Sequence, residues 1–373
     1  MTASPTDRVV PSAQRRTIRP SITLALAALG LATAKVGLGL FPEWRRFADA
    51  TMHWPDFSAS PLLTEADATL VSNSAGSWLL AAVGFRGPVP YLAGSLLLAA
   101  IAIVLPFLMP VSVQYRARPA LPRLLFIVVA GGAIAPVLLT WIGSYDALVV
   151  IAATIAALSR NRWASAAGWL LMGLSHATVA ALAFVLWAPM AFATHQSESP
   201  ARRVQRLAMA ALGTAVGWLL MRAVADAWGG STDRWQLLQR LNPSDVVHAY
   251  FSGLPLVLFG ILGVTWLVVL RRDVLAGIPS RILVVEAAAA ALLIPLIAVD
   301  ETRIVVLCLL ASTLAWAAWL SGDEQRSSWV IDQRWRAYAL AAAIIPVMVV
   351  WQGAVLYPGW DVVRTLQSAG LVP

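Results

Sequence analysis

From residue 20 onward the chain alternates between long apolar runs and short polar breaks. A run of about 20 mostly apolar residues is what a helix needs to cross a bilayer. The pattern predicts spans at about 20–42, 89–112, 123–143, 146–159, 163–174, 175–193, 207–227, 251–270, 281–299, 304–320 and 337–356, eleven in all. The resulting organisation is an N-terminal tail over 1–19, a single transmembrane domain over 20–356 and a C-terminal tail over 357–373. The longest break, 43–88, has a polar middle followed by SNSAGSWLLAAVGF, the spacing of a short helix lying in the interface with Trp78 as its anchor. The apolar stretch over 163–193 is too long for one upright helix and short for two. Basic SRNR before it and ARRVQR after it make the chain go out and return, turning near Gly173, Ser175 and His176.

Composition agrees with that pattern. With 59% hydrophobic and 12% charged residues, the chain is far from the roughly 45–50% apolar and 25% charged make-up of a soluble domain. The expected fold class is an all-α polytopic membrane protein. A net charge of +8 would suit nucleic acid if it lay along one face. Instead most basic residues sit in the breaks that the eleven-span reading puts inside, as the positive-inside rule expects. Nucleic acid is therefore excluded as a partner, and membrane lipid is expected as one. Arg8, Arg15, Arg16 and Arg19 precede an apolar run longer than a signal-peptide core, which predicts a retained anchor with its N-terminus in the cytoplasm. Most acidic residues fall at the opposite ends of the runs, so the outer surface is the chemically equipped one. Cys308, the single cysteine, lies in an apolar run and forms no intramolecular disulfide. Abundant Ala, Arg and Trp with a single Lys point to a GC-rich bacterial genome, and hence to a bacterial cytoplasmic membrane.

An ionisable group within a span costs roughly 2.5–3.5 kcal/mol at the bilayer centre on insertion scales, so each one asks for a reason. Lys35 in the first span either snorkels to the outer interface or faces a phosphate or carboxylate. Glu286 in RILVVEAAAAALL calls for an interhelical partner, with Arg222 or a hydroxyl as candidates. In the first outer loop Glu65 and Asp67 stand two residues apart, close enough to share a cation. Tyr145 and Asp146 open the fourth span, where an Asp N-cap is one sufficient reason for the carboxylate. His176 lies in the turn between two short helices on the same side, bonded to backbone or acting near neutral pH. Asp300, Glu301 and Arg303 in AVDETRIVV form the polar tip of a hairpin. A tip needs only Gly, Asn or Ser, which leaves Arg303 to reach inward to a phosphate or carboxylate.

The long first outer loop, its Glu65/Asp67 pair, and GSYDALVVIAATIAAL followed by WASAAGWLLMGLSHATVAALAFVLW resemble membrane glycosyltransferases of the C-type superfamily (GT-C fold) and related surface-polysaccharide polymerases. The resemblance covers about residues 20–195. It implies a polyprenyl-linked sugar donor, a saccharide or glycolipid acceptor and catalysis on the outer face. The family's acidic motif would fall on Glu65 and Asp67; because that pair lies well beyond the first span, Asp49 and Asp56 are further candidates. One of these carboxylates would take the proton from an acceptor hydroxyl, with Arg303 and Lys35 stabilising the departing polyprenyl phosphate and the anomeric configuration inverting. A divalent metal (Mg²⁺ or Mn²⁺) on Glu65 and Asp67 is compatible with that chemistry but demanded by no ligand cluster. Tyr145, Asp146, His176, Asp300 and Glu301 would line the substrate site. The rival class is a transporter or flippase, whose expected internal repeat is not evident in the sequence. A non-catalytic scaffold would leave Lys35, Glu286 and Arg303 without a reason.

Overall fold

The computed structural model describes residues 11–60, 74–109, 118–228, 243–296, 301–332, 334–346, 349–351 and 354–356. It is a helical bundle. Chain order runs α1 (Pro11–Val36), α2 (Trp44–Ala50), α3 (Ala75–Ala82), α4 (Pro88–Leu108), α5 (Leu121–Gly131), α6 (Ile134–Thr140), α7 (Asp146–Leu158), α8 (Arg162–Ser175), α9 (Ala177–Thr194) and α10 (Pro200–Ala227). It continues through α11 (Pro243–Leu262), α12 (Thr265–Val269), α13 (Arg272–Leu275), α14 (Ile278–Leu293), α15 (Glu301–Leu320), α16 (Glu324–Ile331) and α17 (Trp335–Ile344) to an antiparallel pair, β1 (Val349–Trp351) and β2 (Ala354–Leu356).

Among the described residues four helices are long and apolar enough to cross a membrane: Pro88–Leu108, Ala177–Thr194, Pro200–Ala227 and Thr302–Leu320. The bent pair Leu121–Gly131 and Ile134–Thr140 makes a fifth if it is one span. These helices make the protein a membrane-embedded helical bundle. Shorter apolar helical stretches, Ser21–Val36, Asp146–Leu158 and Gly253–Leu262, fall at three of the other expected spans.

Three expected spans are interrupted, each at a residue that explains the break. The expected 123–143 helix bends by 50° between α5 and α6, because Gly132 is extended and Pro136 sits in the first turn of α6, where its missing N–H costs nothing. The carbonyl of Gly131 is met by the Val264 N–H at 2.9 Å, so the break leaves this buried acceptor satisfied. The expected 251–270 helix stops at Gly263, which has φ +51°. The expected 337–356 helix ends at Ile344: Pro346 forces Ile345 into an extended conformation, and the β-branched run beyond pairs as strands.

The core centres on α15, whose apolar positions from Val305 to Leu320 are almost all buried. Tight seams come from glycine. A methyl group on Gly213 would stand 2.6 Å from the Ala166 carbonyl oxygen, and one on Gly173 2.5 Å from that of Thr214, so α8 and α10 touch backbone to backbone.

Candidate functional site

Three helix breaks and the start of α15 meet at one end of the bundle. After α1 the chain extends, and Leu40 forms a bridge with Ile142 beyond α6. Gly39 N–H donates to Leu139 O at 2.8 Å and Phe41 N–H to Ile142 O at 2.9 Å, which fixes the segment between α1 and α2 beside the break between α6 and α7. At that break Gly143 has φ +92°, and a Cβ there would approach Trp44 Cβ to 2.8 Å. The Tyr91 hydroxyl donates to Gly143 O at 2.7 Å. The backbone leading into Asp146 is therefore held from three sides.

Asp146 is the first residue of α7 rather than its cap; Tyr145 takes the cap position, where its side chain does not cap the helix. The Asp146 carboxylate is spent on Arg303 of α15: Nε donates to Oδ2 at 2.7 Å and Nη2 to Oδ1 at 3.0 Å. This is a two-pronged pair with both side chains almost wholly buried, 2% exposed for Arg303 and 0% for Asp146. The Arg303 guanidinium also lies 4.9 Å from the ring centre of Tyr145, 5.2 Å from Trp141 and 5.5 Å from Phe41, contacts that strengthen when water is absent. A cation in the first turn of a helix opposes the helix dipole, whereas a carboxylate in the first turn of α7 agrees with it. Asp146 thus serves its own helix end and offsets the cost of placing Arg303 at the wrong end of α15.

His176 occupies the break between α8 and α9, 2% exposed. Its Nδ1 accepts from Val179 N–H at 3.2 Å, capping α9, so a neutral ring carries its proton on Nε2. The imidazole stands 5.0 Å, centre to centre, from the Tyr145 ring. Tyr145, Asp146, His176 and Arg303, drawn from separate parts of the sequence, thus form one cluster.

The remaining candidates divide. Lys35 Nζ donates to Ala342 O at 2.6 Å and Ile345 O at 2.8 Å, capping the last turn of α17. Asp56 is exposed and turns back on the Ser58 N–H at 2.9 Å, a bond that holds its carboxyl below the usual carboxylate range. Asp49 is half-buried on α2, whose Phe47 ring packs 5.9 Å from Phe41; that contact ties the helix to the Arg303 cage. Glu65, Asp67 and Asp300 lie outside the described residues, as does the Glu301 side chain. Trp78 of the expected interfacial helix packs on Phe57 and Trp228 and lines an apolar groove of about 410 Å³ with Trp54 and Leu79. Glu286 does not meet Arg222, which pairs with Asp226 at 3.7 Å; the Ser312 hydroxyl lies beside it. Among the described residues no three His, Cys, Asp or Glu side chains group as metal ligands. Phe41 and Trp141, the aromatic walls, escape a sequence reading because aromatic residues at span ends are expected anyway as interface belts.

No protein-family model, curated protein or solved structure matches the chain. The chemistry of the site is therefore read from its geometry.

Proposed function

We propose that the chain is a membrane glycosyltransferase. It moves a sugar from a polyprenyl-phosphate-type donor to a hydroxyl acceptor at the outer face of a bacterial cytoplasmic membrane, on a GT-C-like bundle of about eleven spans with its N-terminus in the cytoplasm. The observation that carries the reading is Arg303: a buried, ring-caged guanidinium at a helix N-terminus, adjoining the loop that bears Asp49, Asp56, Glu65 and Asp67. A guanidinium fork suits a phosphate as well as a carboxylate, so the donor phosphate takes over part of the Asp146 contact. The acceptor oxygen then bonds to the anomeric carbon as the carbon–oxygen bond to phosphate breaks. The acceptor proton passes to a carboxylate of the first outer loop, and Arg303 meets the charge that develops on the leaving phosphate.

A transporter or flippase needs a polar route across the bilayer. Between Arg303 and Ser312, nine residues or roughly 13 Å along α15, every residue from Val305 to Ala311 is buried and apolar. Along that stretch α15 contributes no polar side chain to such a route.

The experiment is release of polyprenyl phosphate from synthetic polyprenyl-phosphate sugars by protein in lipid nanodiscs. Wild type is expected to turn over one of them, with Arg303→Ala slower by about 10²–10³-fold, the usual cost of removing one charge-stabilising donor. An Arg303→Ala enzyme as fast as wild type sinks the assignment.

A further inference from the structure

A second polar site lies where α7, α9 and α15 end and α10 begins, at the end of the bundle where the basic breaks gather. There a cavity of about 380 Å³ opens above a floor of Ala157, Ala315 and Ala318, with Arg118, Arg160 and His195 in its wall. Small floor residues leave the room, and the wall supplies the charge.

The carboxylates that reach the cavity are engaged by other arginines. Glu198 accepts from Arg206 at 2.8 Å, and Asp323 caps α16 through Arg326 N–H at 3.0 Å and pairs with the Arg326 side chain. Among the described residues and with these partners included, four arginines (118, 160, 206 and 326) face two carboxylates, an excess of positive charge. The helix C-termini are the natural attractors for such cations, but their carbonyls are already met. Arg206 donates to Ser159 O and Arg160 O, at 3.2 and 2.8 Å, and Arg118 to Ala318 O at 2.7 Å. Arg118 also needs Gly322 beneath it, where a Cβ would come within 2.9 Å of its guanidinium carbon. The guanidinium is thus seated against the cavity wall by a glycine, while Arg160 stays exposed at the rim.

We infer that this cavity binds a phosphate-bearing anion. A basic pocket between span ends at headgroup depth suits the phosphate of an anionic phospholipid, and soluble phosphate offers the same chemistry. The inference is independent of the transferase reading, because the cavity belongs to the opposite end of the bundle.

The test uses full-length protein and three variants: Arg160→Gln, which changes an exposed side chain and spares the fold; the double variant Arg118→Gln/Arg160→Gln; and Arg162→Gln as a same-end control, its guanidinium held by Gln205. Retention of phosphatidylglycerol against phosphatidylcholine is read by native mass spectrometry, and melting temperature is followed in detergent with inorganic phosphate or chloride at equal ionic strength. Preferential retention of phosphatidylglycerol, weakened about ten-fold by Arg160→Gln and unchanged by Arg162→Gln, identifies a lipid headgroup. Stabilisation by inorganic phosphate with the same variant dependence, and without lipid selectivity, identifies a soluble anion. Equal retention and equal melting across all the proteins, or no response to either probe, overturns the inference.

Discussion

At the residue scale the account rests on the Asp146–Arg303 pair, and its two possible roles separate by mutation. Removing one partner of a buried ion pair costs about 3–5 kcal/mol, because the other is left charged and unpaired. Arg303→Ala and Asp146→Ala are therefore both expected to lower the melting temperature strongly. The neutral double variant Asp146→Asn/Arg303→Met leaves no orphan charge and is expected to regain most of that stability. If the pair were only a strut between α7 and α15, activity would return with stability; the account predicts a folded, inactive protein. At the other end, His195 gives a pH dependence. Burial and the nearby Arg206 charge lower its pKa, so the unfolded chain holds the proton more readily. The stability this contributes is full above the unfolded value of about 6.5 and declines as pH falls below it. Glu198 acts in the same direction at lower pH: partial burial opposes ionisation, but the Arg206 hydrogen bond and charge outweigh it and lower the pKa. Its contribution is lost as pH drops below about 4.3. Thermal unfolding against pH is expected to show both declines, and His195→Gln to flatten the one that begins near neutral pH.

At the element scale, helix ends rather than helix middles carry the site. Where sequence periodicity was sufficient, the elements stand where it put them: α4, α8, α9 and the turn at His176 follow from apolar run length and flanking arginines. A span expected to run through Gly132, Gly263 or Pro346 is longer than the helix found there, because hydropathy registers burial and not backbone continuity. Tyr145, Asp146, His176 and Arg303 are legible one by one as polar residues at span ends, but their mutual contact is not, since the ion pair at its centre joins residues 157 positions apart. Asp146 shows the limit well: an acidic residue at a helix start reads as a cap, and only the partner across the bundle reveals otherwise. Lys35 is the reverse case, a charge that promised chemistry and caps α17. The α8–α10 seam gives this scale its prediction. Gly213→Ala places a methyl against backbone that cannot turn aside, and overpacking of this kind costs about 1–3 kcal/mol. A lowered melting temperature in detergent is expected; an unchanged one would mean that the two helices do not pack through Gly213.

At the scale of the whole molecule, two chemically different ends face apart across a middle that is apolar along Val305–Ala311 and holds Glu286 beside Ser312. One collects the aromatic cage, the ion pair and the start of the segment that follows α1; the other collects the arginines and the cavity. Cys308 is buried among α9 and α15 residues, so the native chain is expected to resist a membrane-impermeant maleimide. In a Cys308→Ser background, Ser58→Cys should label from outside intact cells and Ser197→Cys only after permeabilisation; labelling of both from one side would break the proposed topology. The most direct test of the central claim is a structure in a lipid nanodisc with a polyprenyl phosphate bound. The account predicts the phosphate within hydrogen-bonding distance of the Arg303 guanidinium, with the Asp146 contact loosened and the isoprenoid chain leaving sideways into lipid. A phosphate bound elsewhere, with the Asp146–Arg303 pair intact and sealed, would contradict it.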